Sequence, residues 1–100
     1  MDPVLDYYRQ LWDQIHTKAA SSTTHEKRTD FCSWIRKTSG SMGCCICKTH
    51  ALQYIQNNPP ENALNLFVWS WEFHNDVNTR LGKPIMDYAT AAIKYLGWSV

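Results

Sequence analysis

One hundred residues leave room for one domain and no second hydrophobic core. With 44% hydrophobic and 19% charged residues, the composition is that of a globular chain, neither disordered nor fibrous. Ten Lys and Arg against nine Asp and Glu give a formal charge of +1, which argues against nucleic acid or a membrane surface as an electrostatic partner.

Prolines and glycines divide the chain into five segments with helical periodicity and no βαβ alternation, so the expected fold is all-α. Asp2 suits the N-cap of a first helix, with Pro3 at its first position, and Leu5, Tyr8, Trp12, Ile15 and Ala19 recur on one face. Residues 20–24 form a Ser/Thr loop. Thr23 and Glu26 make a capping box for a second helix that buries Phe31, Trp34 and Ile35. Residues 39–43 are a flexible turn. A third helix starts at the cysteine cluster, turns Cys47, Ala51, Tyr54 and Ile55 inward, and ends at Asn57-Asn58-Pro59-Pro60.

The stretch Trp69-Ser70-Trp71-Glu72-Phe73 alternates like a strand. Phe67, Trp71, His74, Asn78 and Leu81 nevertheless keep helical spacing, and Gly82 followed by Pro84 closes a helix spanning residues 62–81. Asp87 caps a last helix that runs to Tyr95 and is closed by Gly97. No apolar run reaches the roughly 20 residues of a transmembrane span, and Met1-Asp2-Pro3 does not open a signal peptide.

The four cysteines are concentrated rather than spread: Cys32 stands apart, while Cys44, Cys45 and Cys47 fall within four positions. Redox and metal sites cluster their thiols in this way, whereas disulfide frameworks distribute them. Cys44 and Cys47 form a CxxC at a helix N-terminus, where backbone N–H groups and the helix dipole favour a thiolate. Cys44 and Cys47 with His50 and one of His16, His74 or Cys32 could instead bind zinc, although no second close ligand pair accompanies them.

A second constellation runs from Trp71 to Pro84. An indole, the His74 imidazole and the Asn78 amide on one helical face suit a planar heteroaromatic ring, and Arg80 and Lys83 suit its phosphates. Alternatively Trp71, Val77 and Leu81 are plain core and His74 is a satisfied buried imidazole.

Three blocks decide between these readings: Arg9 through His16, Cys44 through Ala51, and His74-Asn75-x-Val77-Asn78-x-x-Leu81-Gly82-Lys83-Pro84. In order and approximate spacing the chain resembles the Erv/Alr flavin-dependent sulfhydryl oxidases, most of all the short forms of large cytoplasmic DNA viruses. The resemblance implies a four-helix bundle with a short fifth helix across it, holding FAD non-covalently at the bundle's mouth, in a homodimer. It assigns catalysis to Cys44 and Cys47. It assigns the cofactor to Arg9, Trp12, His16, His74, Asn75, Val77, Asn78, Leu81 and Lys83, with a C-terminal aromatic for which Tyr95 and Trp98 both qualify. It implies no metal.

The implied activity joins two thiols of a protein substrate, or of a thioredoxin-like relay protein, into a disulfide while dioxygen becomes hydrogen peroxide. The implied location is the cytoplasm of an infected cell and the virion. The chain departs from the family pattern in having Gly43 where Pro usually precedes the CxxC. It also lacks the additional disulfide and shuttle cysteines of cellular members. The rival reading is a zinc-stabilised helical interaction module without catalysis.

Overall fold

The computed structural model describes residues 3–99, and the expected N-cap Asp2 lies outside the described residues. Among these, five α-helices and one 3₁₀ turn follow in order. Helix α1 is Pro3–Ser21, α2 His25–Gly40, α3 Cys45–Asn57, α4 Leu66–Arg80 and α5 Tyr88–Leu96, and the 3₁₀ turn Pro60–Asn62 lies between α3 and α4. Helix α1 packs chiefly on α4, α2 on α3, and the short α5 lies against α1. The result is an all-α bundle of four helices with a fifth across it.

The core forms where the apolar stripes meet. Leu11, Ile15 and Ala19 of α1, Phe31 and Ile35 of α2, Ala51 and Ile55 of α3, and Leu66, Trp69 and Phe73 of α4 make one cluster. Ile35 is fully buried, so truncation to Ala would cost about 2–5 kcal/mol through lost burial and the cavity left behind. The strand-like stretch around Ser70 is helical because Trp69, Ser70 and Phe73 all face inward on α4. Trp71 turns sideways, and its indole N–H donates to the Met86 carbonyl at 2.8 Å.

Local signals and tertiary packing disagree in four places. The N-cap of α2 is Thr24, not Thr23; its hydroxyl accepts from the Lys27 N–H at 3.2 Å, which places Lys27 rather than Glu26 at the third helical position. Residues 39 and 40 continue α2 rather than starting a turn, because Ser39 is buried against the bundle. Helix α4 starts after Asn65 rather than at residue 62; the Asn65 side chain accepts from both Phe67 and Val68 N–H, and residues 60–62 form the 3₁₀ turn. On α1, Leu5 is exposed, while Leu11 and His16 join the buried face.

The end signals of α4 and α5 hold. Gly82 has φ +70 just past α4 and Gly97 has φ +73 at the end of α5, the left-handed conformation that glycine adopts without a Cβ clash. The Asp87 carboxylate accepts from the Thr90 N–H at 2.8 Å.

Candidate functional site

A cavity of about 770 Å³ opens between α1, the C-terminal end of α2, the start of α3, α4, the segment after α4, and α5. That volume is in the range of small-molecule and cofactor pockets. Its apolar wall carries Trp12, Phe73 and Val77. The Trp12 and His74 rings are parallel, 4.0 Å between centroids and 3° between planes, and Phe73 meets Trp12 edge-on at 5.2 Å. Such a wall presents a flat π-surface on a rigid base, because α1 and α4 are packed together along their length.

Behind that wall lies His16, which has no exposed surface. One of its ring nitrogens is 2.8 Å from His74 Nδ1 and the other 2.9 Å from Ser70 Oγ. Burial, followed by the neighbouring His74, pushes the His16 pKa down to about 3. Burial first, then Lys94 and Lys83, lowers His74 to about 4. Both imidazoles are therefore neutral at pH 7.

Cations sit around the cavity. Arg9, Arg80, Lys83 and Lys94 line it. Arg9 pairs with Asp6 at 3.6 Å, Arg80 with Asp76 at 3.1 Å and Lys94 with Asp13 at 3.4 Å. Lys83 enters none of the ion pairs found among the described residues. Its loop is held by Asn75, whose amide oxygen accepts from Met86 N at 2.8 Å while its NH₂ donates to Met86 O at 2.9 Å. That double bond mimics a strand partner and fastens the residues after α4 back onto it.

The cysteine pair stands at the edge of the same cavity. Cys44 is the N-cap of α3 and is exposed; its sulfur accepts from the Cys47 N–H at 3.3 Å. Cys47, half-buried, lines the cavity. The Cys47 thiol and then the Cys47 backbone N–H, both hydrogen-bonded to Cys44, lower the Cys44 pKa, whereas Cys47 is raised, first by that same side-chain bond and then by burial. Tyr8 bonds to Cys47 from α1, and its phenol is pushed up by burial first and then by the two thiols.

Of the residues singled out in the sequence, Arg9, Trp12, Cys47, His74, Val77, Asn78, Leu81, Lys83 and Tyr95 all line this cavity. His16 and Asn75 stand one layer behind it, on His74 and on Met86. Trp98 packs edge-on against Tyr88 at 5.7 Å and does not line it. Sequence reasoning missed Tyr8 as a neighbour of Cys47, although Tyr8 and Trp12 are one turn apart on α1. It also missed Asp13, which accepts from the Tyr95 hydroxyl at 2.6 Å and ties α5 to α1. As for zinc, among the described residues no group of three or more His, Cys, Asp or Glu could hold a metal ion.

Together these features define a class of helical bundles that set a CxxC dithiol beside an aromatic, cation-rimmed pocket. The sequence profile of the Erv1 / Alr family matches residues 9–96, and the chain belongs to that family. It is 28% identical over 91 residues to an FAD-linked sulfhydryl oxidase of African swine fever virus (isolate Pig/Kenya/KEN-50/1950), covering 86% of this chain and 76% of the viral protein. The crystal structure of the yeast Erv1 core superposes with a TM-score of 0.83 at 27% identity, over 99% of this chain and 91% of that one. The FAD-binding domain of Erv1 from Saccharomyces cerevisiae gives 0.81 at 26% identity, over 99% and 100%.

Proposed function

We propose that the chain is an FAD-linked sulfhydryl oxidase that makes disulfides in protein substrates, with Cys44 and Cys47 as its redox pair. One observation carries this reading: Cys47 lines the aromatic cavity while Cys44, three residues away, faces solvent. A substrate can reach one sulfur and a cofactor the other.

The cavity suits FAD in its chemistry. Trp12 and His74 offer stacking surface for a ring, Asn78 an amide at its edge, and Lys83 with Arg9 a positive field for phosphates. Tyr95 closes the side next to His16, 4.6 Å from that ring. When bound, FAD supplies the step that a dithiol cannot perform efficiently alone, passing two electrons to dioxygen to give hydrogen peroxide.

The protein's own part is thiol exchange. In the oxidised enzyme a substrate thiolate attacks Cys44 Sγ; the Cys44–Cys47 bond breaks, a mixed disulfide forms, and Cys47 leaves as a thiolate. The substrate's second thiol, losing its proton, attacks its own sulfur in the mixed disulfide and releases Cys44. The substrate has then lost two electrons and two protons, and the pair holds the electrons beside the cavity. Cys44 is the better sulfur to attack because it is exposed. Cys47 is the better one to face the cofactor because Tyr8 can hydrogen-bond its thiolate.

Clients are dithiol proteins or a thioredoxin-like relay, and the working unit is a homodimer. We place this activity in infected cytoplasm and in the virion; the similar FAD-linked sulfhydryl oxidase of African swine fever virus is itself a viral protein. Among the described residues no helix is long and apolar enough to cross a membrane. The absorption spectrum of the purified protein tests the reading: a flavin band, with peroxide formed from dithiothreitol and oxygen, is expected. A colourless protein inert toward thiols would overturn it.

A further inference from the structure

Three buried groups that make no contact with a substrate decide how the cavity presents itself. Ser70 Oγ lies 2.7 Å from the Phe67 carbonyl oxygen. A carbonyl has no proton, so a contact that short requires the serine hydroxyl to donate; otherwise two oxygen lone pairs would face each other. Its only proton is then committed, and toward His16 Ser70 can act solely as an acceptor. The His16 Nδ1 at 2.9 Å must therefore carry a hydrogen.

A neutral imidazole carries one proton, so His16 Nε2 is bare. His74 Nδ1 lies 2.8 Å from it and must donate. The same count leaves His74 Nε2 with a lone pair, on a ring that lines the cavity. We propose that Ser70, acting through His16, is a positioning residue that fixes the tautomer of His74, so that the cavity offers the bound cofactor a hydrogen-bond acceptor at this ring. The ligand group selected there is an N–H or O–H donor; a carbonyl or phosphate oxygen is refused. The relay runs from the α4 backbone across the α1–α4 seam and back, so packing of the two helices sets a chemical preference as well as a shape. The donor preference rests on the cavity being the FAD site, whereas the tautomers do not.

Long-range ¹⁵N–¹H correlation spectra of the protein as purified test the relay directly. His16 and His74 are both expected with hydrogen on Nδ1 and none on Nε2, and a hydrogen on Nε2 of either ring overturns the proposal. Ser70→Ala removes the acceptor from His16 Nδ1–H, and the freed relay should reverse, placing hydrogen on His74 Nε2. Affinity for added FAD, measured by calorimetry, should then fall about tenfold, and Ser70→Thr, which keeps the hydroxyl, should restore both readouts. An unchanged His74 tautomer in Ser70→Ala overturns the assignment of Ser70. If Ser70→Ala does not fold, the wild-type spectrum and Ser70→Thr still decide. Wild-type protein that binds no FAD defeats the cofactor reading instead, and leaves the tautomers to the spectrum.

Discussion

Trp12 of α1 and His74 of α4 lie face to face, with 4.0 Å between ring centroids and 3° between planes. The two residues come from helices 62 positions apart in the chain, yet their rings are aligned as closely as a bound aromatic ligand would need. This alignment is part of the fold: His16 backs the pair, its ring 5.7 Å from Trp12 and bonded edge to edge with His74 at 2.8 Å. A flat ligand meets a surface already ordered, and little side-chain entropy remains to be lost on binding.

His74→Ala should therefore weaken FAD binding and lower the melting temperature together. A ligand that binds only the folded chain stabilises it by roughly 4 kcal/mol at a thousandfold excess over its dissociation constant. The variant should elute with substoichiometric flavin and recover part of its melting temperature when FAD is added. Full occupancy with wild-type melting would remove His74 from the site.

Cys47→Ser should remain yellow and yet consume no oxygen with dithiothreitol, because the proposed mechanism makes the thiol that lines the cavity the electron donor. Oxygen electrode traces and the visible spectrum, taken on the same sample, separate loss of chemistry from loss of cofactor. Sustained turnover would end the assignment of this pair.

Cys32 is 5% exposed, and burial pushes its thiol pKa up. It behaves as a small apolar filler. Cys32→Ala should lower stability by about 1 kcal/mol and leave thiol oxidation within a few fold. Complete loss of activity with fold and flavin intact would instead make it a shuttle thiol.

The buried His16 and half-buried His74 imidazoles make the protein acid-sensitive. His16 is held down to about 3 and His74 to about 4, so below pH 6.5 the unfolded chain takes up protons that the folded chain refuses. Stability is complete above that pH and is lost as the pH falls, by about 2 kcal/mol per imidazole at pH 5. Lys94 and Lys83 reinforce the neutral form of His74, and Asp13 opposes it. Melting curves from pH 7.5 to 5 should show the decline, with a shallower slope in His74→Ala. A flat profile would mean that the pair is not held neutral.

Features confined to a few neighbouring residues were legible in the sequence. Asp87 at its cap, Gly82 and Gly97 at their left-handed turns, and the spacing of Trp12 and His16 on one helix all express local geometry. The break before α4 was not, because Asn62 and Asn65 are equally good caps by chemistry. The Arg36–Glu61 ion pair and the Trp69 indole bond to Asn58 O at 2.8 Å anchor the 3₁₀ segment, which leaves Asn65 as the first free start. In the site, the residues of α1 and α4 that line the cavity could be grouped by helical spacing. The pairing of Tyr95 with Asp13, and of His16 with Ser70, joins side chains whose proximity is set only by how the helices dock.

Cys44 caps α3 with its own sulfur, accepting the Cys47 N–H. A thiolate in that place gains from the helix terminus, while a disulfide sulfur is uncharged and a poor acceptor. The cap therefore favours the reduced pair over the oxidised one and raises its reduction potential, which in the proposed activity makes the oxidised pair a stronger oxidant of client thiols. The integrity of a single helical turn thus sets the appetite of the pair for electrons, and fraying at the start of α3 would make it a weaker oxidant by taking the Cys44 sulfur off the helix terminus.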